Sequence, residues 1–222
     1  MRKLVLLILF MACGGANAAG LSADALEPVS LSVKDVEKLN KQNELILPTF
    51  NQLDLAQRSK FALYELANHE VITNTYVFKA DGKLEYLGSK LAASGQKILF
   101  QQDYTSYKNV DVNGKRKKVG ILLRLEAELV TKKADLNLNG IFAIGAAASS
   151  GSASGRLRLK VYGLSGEAIS LAIPAPSDIS EQSLLNAFTA IATIKSKIYE
   201  DNVFVIPQDI PELPFELGRN QS

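Results

Sequence analysis

Between residues 71 and 173 apolar and polar side chains alternate, the period-two signature of half-buried strands. The pattern is clearest over residues 119–131, where Ile121, Leu123, Leu125, Ala127 and Leu129 fall on one side and Arg124, Glu126 and Glu128 on the other. Residues 156–162 repeat it, with Leu157, Leu159 and Val161 set against Arg156, Arg158 and Lys160. Such alternation predicts antiparallel strands with one face on a core and the other in water. The two outward rows are opposite in dominant sign, so the strands are expected to lie near each other on one sheet, Glu126 and Glu128 facing the basic row. Exposed pairs of this kind contribute a few tenths of a kcal/mol and serve register more than strength. Turn signals at Asp81-Gly82, Ser94-Gly95, Asn113-Gly114 and Leu164-Ser165-Gly166 punctuate the region.

On either side of this region the period turns helical. Ser32 and Asp35 have capping spacing ahead of Val33, Val36 and Leu39, and Pro48 closes that segment. A second helix is expected from Asp54, spaced from Gln57 as a cap, through Phe61, Leu63 and Leu66. The best helical pattern covers residues 179–200, with Leu184, Phe188, Ile191, Ile194 and Ile198 on one face and Asp178 with Glu181 as the expected cap. Residues 203–206 suit a short closing strand. Beyond them Pro207, Pro211 and Pro214 hold residues 207–222 extended, so that Ile210, Leu213, Phe215 and Leu217 either dock on another protein or lie back on the chain's own domain.

Together these elements predict an α+β fold. An antiparallel, curved sheet of about six to seven strands would be flanked by N-terminal helices and covered on one face by the C-terminal helix. A two-sheet sandwich with a helical appendage satisfies the same alternation. Residues 31–206 read as a single domain, preceded by a small, polar and flexible entry over residues 19–30.

The first residues place the protein outside the cytoplasm. Arg2 and Lys3 precede an apolar run over residues 4–12, followed by Ala16-Asn17-Ala18, which reads as an export signal cleaved between Ala18 and Ala19. The run is about half of the roughly 20 apolar residues a membrane-spanning helix needs. A periplasmic or secreted protein is expected. Leu9-Phe10-Met11-Ala12-Cys13 also resembles a bacterial lipoprotein signal, which would anchor the product to a membrane through Cys13. Cys13 is the chain's one cysteine, so cleavage after Ala18 leaves no disulfide and the fold must rest on packing.

The full chain carries 25 Lys+Arg against 23 Asp+Glu, and the excess of two is Arg2 and Lys3 of the signal. A neutral mature chain offers no basic stripe for phosphates, which excludes nucleic acid as an expected partner. The densest basic run, Lys115-Arg116-Lys117-Lys118, follows the Asn113-Gly114 turn and suits either solubility or contact with a membrane surface or an acidic partner. His69 is the only histidine, so a metal site would draw nearly every ligand from carboxylates. A Ser-His arrangement needs a partner that sequence does not reveal, and no Gly-x-Ser-x-Gly elbow accompanies it. Glu126 and Glu128 are carboxylates on one strand face, without a tryptophan platform for a sugar. Residues 140–155 are uncharged and mostly small, lacking the lysine of a phosphate-binding loop; a short helix or buried strand with a Gly/Ser turn is expected, rather than a tip that touches a bilayer or partner.

No catalytic, cofactor or metal motif emerges. The expectation is a non-catalytic exported interaction or assembly protein of the cell envelope, with an envelope protein as partner. A lipid or small-molecule binding module with a cavity between sheet and helix is the first alternative, and a hydrolase with a carboxylate or Ser-His site the second.

Overall fold

The computed structural model describes residues 20–32, 34, 66, 68–88, 90–112, 114–198, 200 and 203–211. The alternating stretch becomes four main strands: β2 (Asn68–Phe78), β4 (Lys97–Val112), β5 (Lys115–Thr131) and β6 (Ala153–Tyr162). Shorter strands complete the set: β1 (Val29–Ser30), β3 (Leu84–Tyr86), β7 (Leu164–Ser165), β8 (Ser177–Asp178), β9 (Phe204–Val205) and β10 (Gln208–Ile210). Three α-helices are bounded within the described residues, α1 (Ile141–Ser149), α2 (Glu167–Ala172) and α3 (Glu181–Lys197), with a 3-10 turn at Ala23–Leu26.

The fold is α+β, built on an antiparallel sheet of eight strands, with β7 and β9 forming a separate pair. Strands β3, β2, β4 and β5 follow one another, and the far edge of β5 is shared. There β6 pairs from Leu122 to Thr131, while β10 pairs from Lys118 to Gly120. Gly163 makes the exchange: its φ of +80° turns the chain out of β6, and its carbonyl accepts the Ile206 amide at 2.8 Å. The sheet therefore exceeds the six to seven strands expected. Five of its strands, β2 to β6, come from the alternating stretch, and β1, β8 and β10, whose two or three residues are too few to display a period, bring the total to eight. The expected N-terminal helices fall outside the described residues, apart from isolated positions.

One sheet face carries Ile98, Phe100, Leu123, Leu125, Leu157 and Leu159 against the three helices, the stripe the alternation predicts. Leu184, Ile191, Ile194 and Ile198 of the C-terminal helical segment close this core, with Ala187 and Ala190 letting the backbone approach. The helix starts two residues later than expected, and its cap is different. Ser180 Oγ accepts the Ser183 amide at 3.1 Å and Ser183 Oγ accepts the Ser180 amide at 2.8 Å, a reciprocal box of two serines. Asp178 instead lies in β8, opposite Arg156. Residues 140–155 form α1, a turn at Gly151 and the start of β6, in line with the short-helix reading. A Cβ at Gly145 would come within 2.7 Å of Leu184 Cδ1, so its small size lets α1 close on α3.

Residues 20–32, of which 20–30 belong to the stretch read from sequence as a flexible entry, lie across the other sheet face as a strap. At one end the Leu21 and Leu84 backbones bond to each other at 3.1 and 2.8 Å; at the other, β1 pairs with β10. Between them Leu26 is buried among Tyr76, Leu84 and Leu99. Leu21 packs beside it and Leu31 against Val110 and Val119, and three leucines so spaced in a run of small and polar residues have no periodicity to announce them. The proline-spaced tail also begins by folding back: Gln208–Ile210 is β10, and Ile210 is buried. Leu213, Phe215 and Leu217 lie outside the described residues, as do Cys13, Ala18 and Ala19.

Candidate functional site: the strapped polar face and the helical groove

Pairing of β4, β5 and β6 sets polar side chains in rows across the face beneath the strap. Asp103, Arg124 and Lys160 share one row; Gln101, Glu126 and Arg158 the next; Leu99, Glu128 and Arg156 the third. The expected pairing of the acidic and basic rows is present: Arg158 bonds Glu126 and reaches Glu128 at 2.8 Å, and Lys160 lies 3.2 Å from Glu126. The expected wet face is present only in part: Arg156 and Arg158 are exposed, but the centre of the face is not. Arg124 is 0% exposed and Glu126 2%, because the strap and neighbouring side chains remove the face from water. Arg124 compensates with three bonds: Nε and Nη2 donate to the two Asp103 oxygens at 2.7 and 2.8 Å, and Nη1 donates to the Leu26 carbonyl at 2.8 Å.

Glu27, on the strap, joins this network from above. Its carboxylate accepts from Lys160 Nζ at 2.8 Å and from the Tyr162 hydroxyl, and lies 3.9 Å from Arg124. Burial raises the Glu27 pKa, but the Lys160 and Tyr162 bonds and the charges of Lys160 and Arg124 outweigh it and hold the carboxyl below its ordinary range. Burial and the adjacent Glu27 carboxylate push the Tyr162 phenol well upward. Burial also lifts Asp103, while its two-point bond keeps Arg124 above the usual arginine range despite desolvation. The charges of Asp103, Arg124, Glu126, Arg158, Lys160 and Glu27 are thus paired within the chain, whereas Arg156 stands exposed at the edge.

No family model, curated protein or solved structure matches this chain. Its sites are therefore read from its own geometry.

The basic run at the β4–β5 turn is divided by strand alternation. Lys117 bonds Asp209, Lys118 bonds Glu70 at 2.6 Å, Arg116 stands opposite Asp111 in the strand register, and Lys115 and Arg116 are exposed. Two of the four charges are therefore tied to acids of the same chain. The Glu126 and Glu128 carboxylates are likewise engaged by Arg158, which leaves no free acid pair there. His69 lies on β2 with Nδ1 2.9 Å from Ser106 Oγ, a serine that sequence reading does not single out. The contact is exposed, and no carboxylate bonds the imidazole among the described residues. No group of three His, Cys, Asp or Glu residues suited to a metal occurs among the described residues.

An open cleft of about 430 Å³ lies beside Lys97, Glu128, Arg156 and Arg158, and a second lies on the opposite, helical side. Phe142 of α1 stacks with Phe188 of α3, ring centroids 6.2 Å apart, and the two helices frame a half-open groove of about 410 Å³. Gly145, Ala146, Leu184 and Leu185 line it, with Ser149 and Glu181 at its polar margin. Phe142 is 80% exposed and Leu185 58%. In sequence, Phe142 is one apolar residue in a small-residue run and Leu185 a neighbour of core Leu184. Only the packing of α1 on α3 brings them together.

Proposed function

We propose that this is a non-catalytic exported component of the cell envelope that acts by engaging a partner protein through the groove between α1 and α3. The exposed apolar pair Phe142 and Leu185, bordering a cleft with aromatic walls, carries this reading. Such a cleft suits one or two apolar side chains inserted from another protein, the anchor type that dominates interface energetics. The polar face offers less, since most of its charges, Arg156 excepted, are bonded within the chain. A lipid-binding module would need its cavity between sheet and helices, and there Phe100, Leu125, Leu157, Ile191 and Ile194 are packed together.

Export follows from the signal read at residues 1–18, with residence in the periplasm and Cys13 as the alternative anchor. The test is in-cell photocrosslinking with a photoreactive residue at position 142, at 185, and at the remote exposed turn position Asp81. One discrete adduct shared by 142 and 185, absent at 81 and abolished when the other groove residue is made Asp, is expected. An adduct pattern that does not distinguish 81 from the groove positions overturns the reading.

The hydrolase alternative rests on the 2.9 Å His69–Ser106 contact. An uncatalysed dyad without an orienting acid is expected to leave Ser106 unlabelled by a fluorophosphonate probe; stoichiometric labelling lost in Ser106→Ala would make the protein an enzyme.

A further inference from the structure

Beneath the strap, on β2 and β4, the polar face carries side chains that the chain does not satisfy. Asn74 stands directly opposite Gln101, and Tyr76 follows Asn74 on the same face, opposite Leu99. Asn74 and Tyr76 are 1% exposed and Gln101 2%. Both polar atoms of the Asn74 amide, the Tyr76 hydroxyl and Gln101 Oε1 are buried without a hydrogen-bond partner among the described residues. Folded proteins pair about nine in ten buried polar atoms, so four orphans on neighbouring register positions call for a missing partner.

The nearby groups do not serve. Gln101 Nε2 already donates to Glu126 Oε2 at 3.1 Å, and Asp103, whose two oxygens each accept a bond from Arg124, bonds none of the orphan atoms. Turning over the Asn74 amide changes nothing, because its nitrogen and its oxygen are both unpaired. The orphan set contains a pure donor, two pure acceptors and a hydroxyl that does either. A metal cation would meet the acceptors and repel the amide N–H; an anion would do the reverse. A small molecule that both donates and accepts meets all four.

We propose that this cluster is a built water site: ordered water held between Asn74, Tyr76 and Gln101 and roofed by the strap around Leu26. The strap then docks on a hydrated polar layer continuous with the buried Glu126 and Asp103 rows, and its lifting would expose that water to exchange.

The test uses the folded mature chain. Water–protein cross-relaxation in NMR is expected to show a cross-peak from water to the Asn74 side-chain amide, with the sign given by water bound longer than the molecule tumbles, and Asn74→Leu is expected to remove the matching cross-peak at the Gln101 side chain. Tyr76→Phe supplies a second readout in a variant that keeps its shape. Its Tm falls if the hydroxyl holds water and rises if the hydroxyl sits dry and unpaired. Absence of the cross-peak in folded wild-type protein, or a raised Tm for Tyr76→Phe, overturns the proposal.

Discussion

Asp103 and Arg124 face each other across β4 and β5 as a two-point ion pair in a position closed to solvent. The pair marks the centre of the polar face, since Arg124 also carries the strap through the Leu26 carbonyl. Removing one partner leaves the other charge buried. Arg124→Met is therefore expected to lower stability by about 3–5 kcal/mol, whereas Asp103→Leu with Arg124→Met is expected to recover most of that loss. Urea denaturation of the three proteins checks this, and equal losses in single and double variants would contradict it.

Acid is expected to loosen the strap before it unfolds the domain. The Glu27 carboxyl is depressed in the folded state, so its stabilisation is present above the ordinary carboxylate range and is lost as pH falls through the lowered value. Amide protection at Leu21 and Leu31, which donate to the Leu84 and Pro207 carbonyls, should fall with acidification. Hydrogen exchange followed against pH should show this dependence flattened in Glu27→Gln.

The cap of α3 distinguishes two neighbouring polar residues. Ser180→Ala is expected to cost about 1 kcal/mol, and Asp178→Asn to leave the helix end intact. Thermal melts of both variants are sufficient; the opposite order would return the cap to Asp178.

On the same helix, burial separates structure from recognition. Ile194→Ala removes a side chain buried in the core and is expected to cost about 2–5 kcal/mol. Leu185→Ala, on the groove, is expected to stay within about 0.5 kcal/mol of wild type. Chemical denaturation measures both.

Replacing Lys115, Arg116, Lys117 and Lys118 by Gln is expected to leave binding to anionic vesicles at low salt unchanged, because Lys117 and Lys118 are paired with Asp209 and Glu70. A salt-sensitive loss of vesicle binding would assign the run to a membrane surface instead.

The sequence by itself determined the α+β class, the antiparallel β5–β6 pairing of acidic with basic rows, and the apolar stripe of α3. Each is a local period repeated over many residues, and a period of two or 3.6 states which side chains share a face. What lies opposite that face is a long-range matter. Arg124 reads as a wet-face arginine until Leu26 and Glu27, nearly a hundred residues earlier, are laid over it. The short strands β1 and β10 likewise exist only because distant backbones supply their partners, and Phe142 meets Phe188 only through the closure of α1 on α3. Alternation specified which residues turn away from the helical core; tertiary packing decided that part of that second face would be dry, since burial belongs to whatever covers a residue and not to the residue's own place in the pattern.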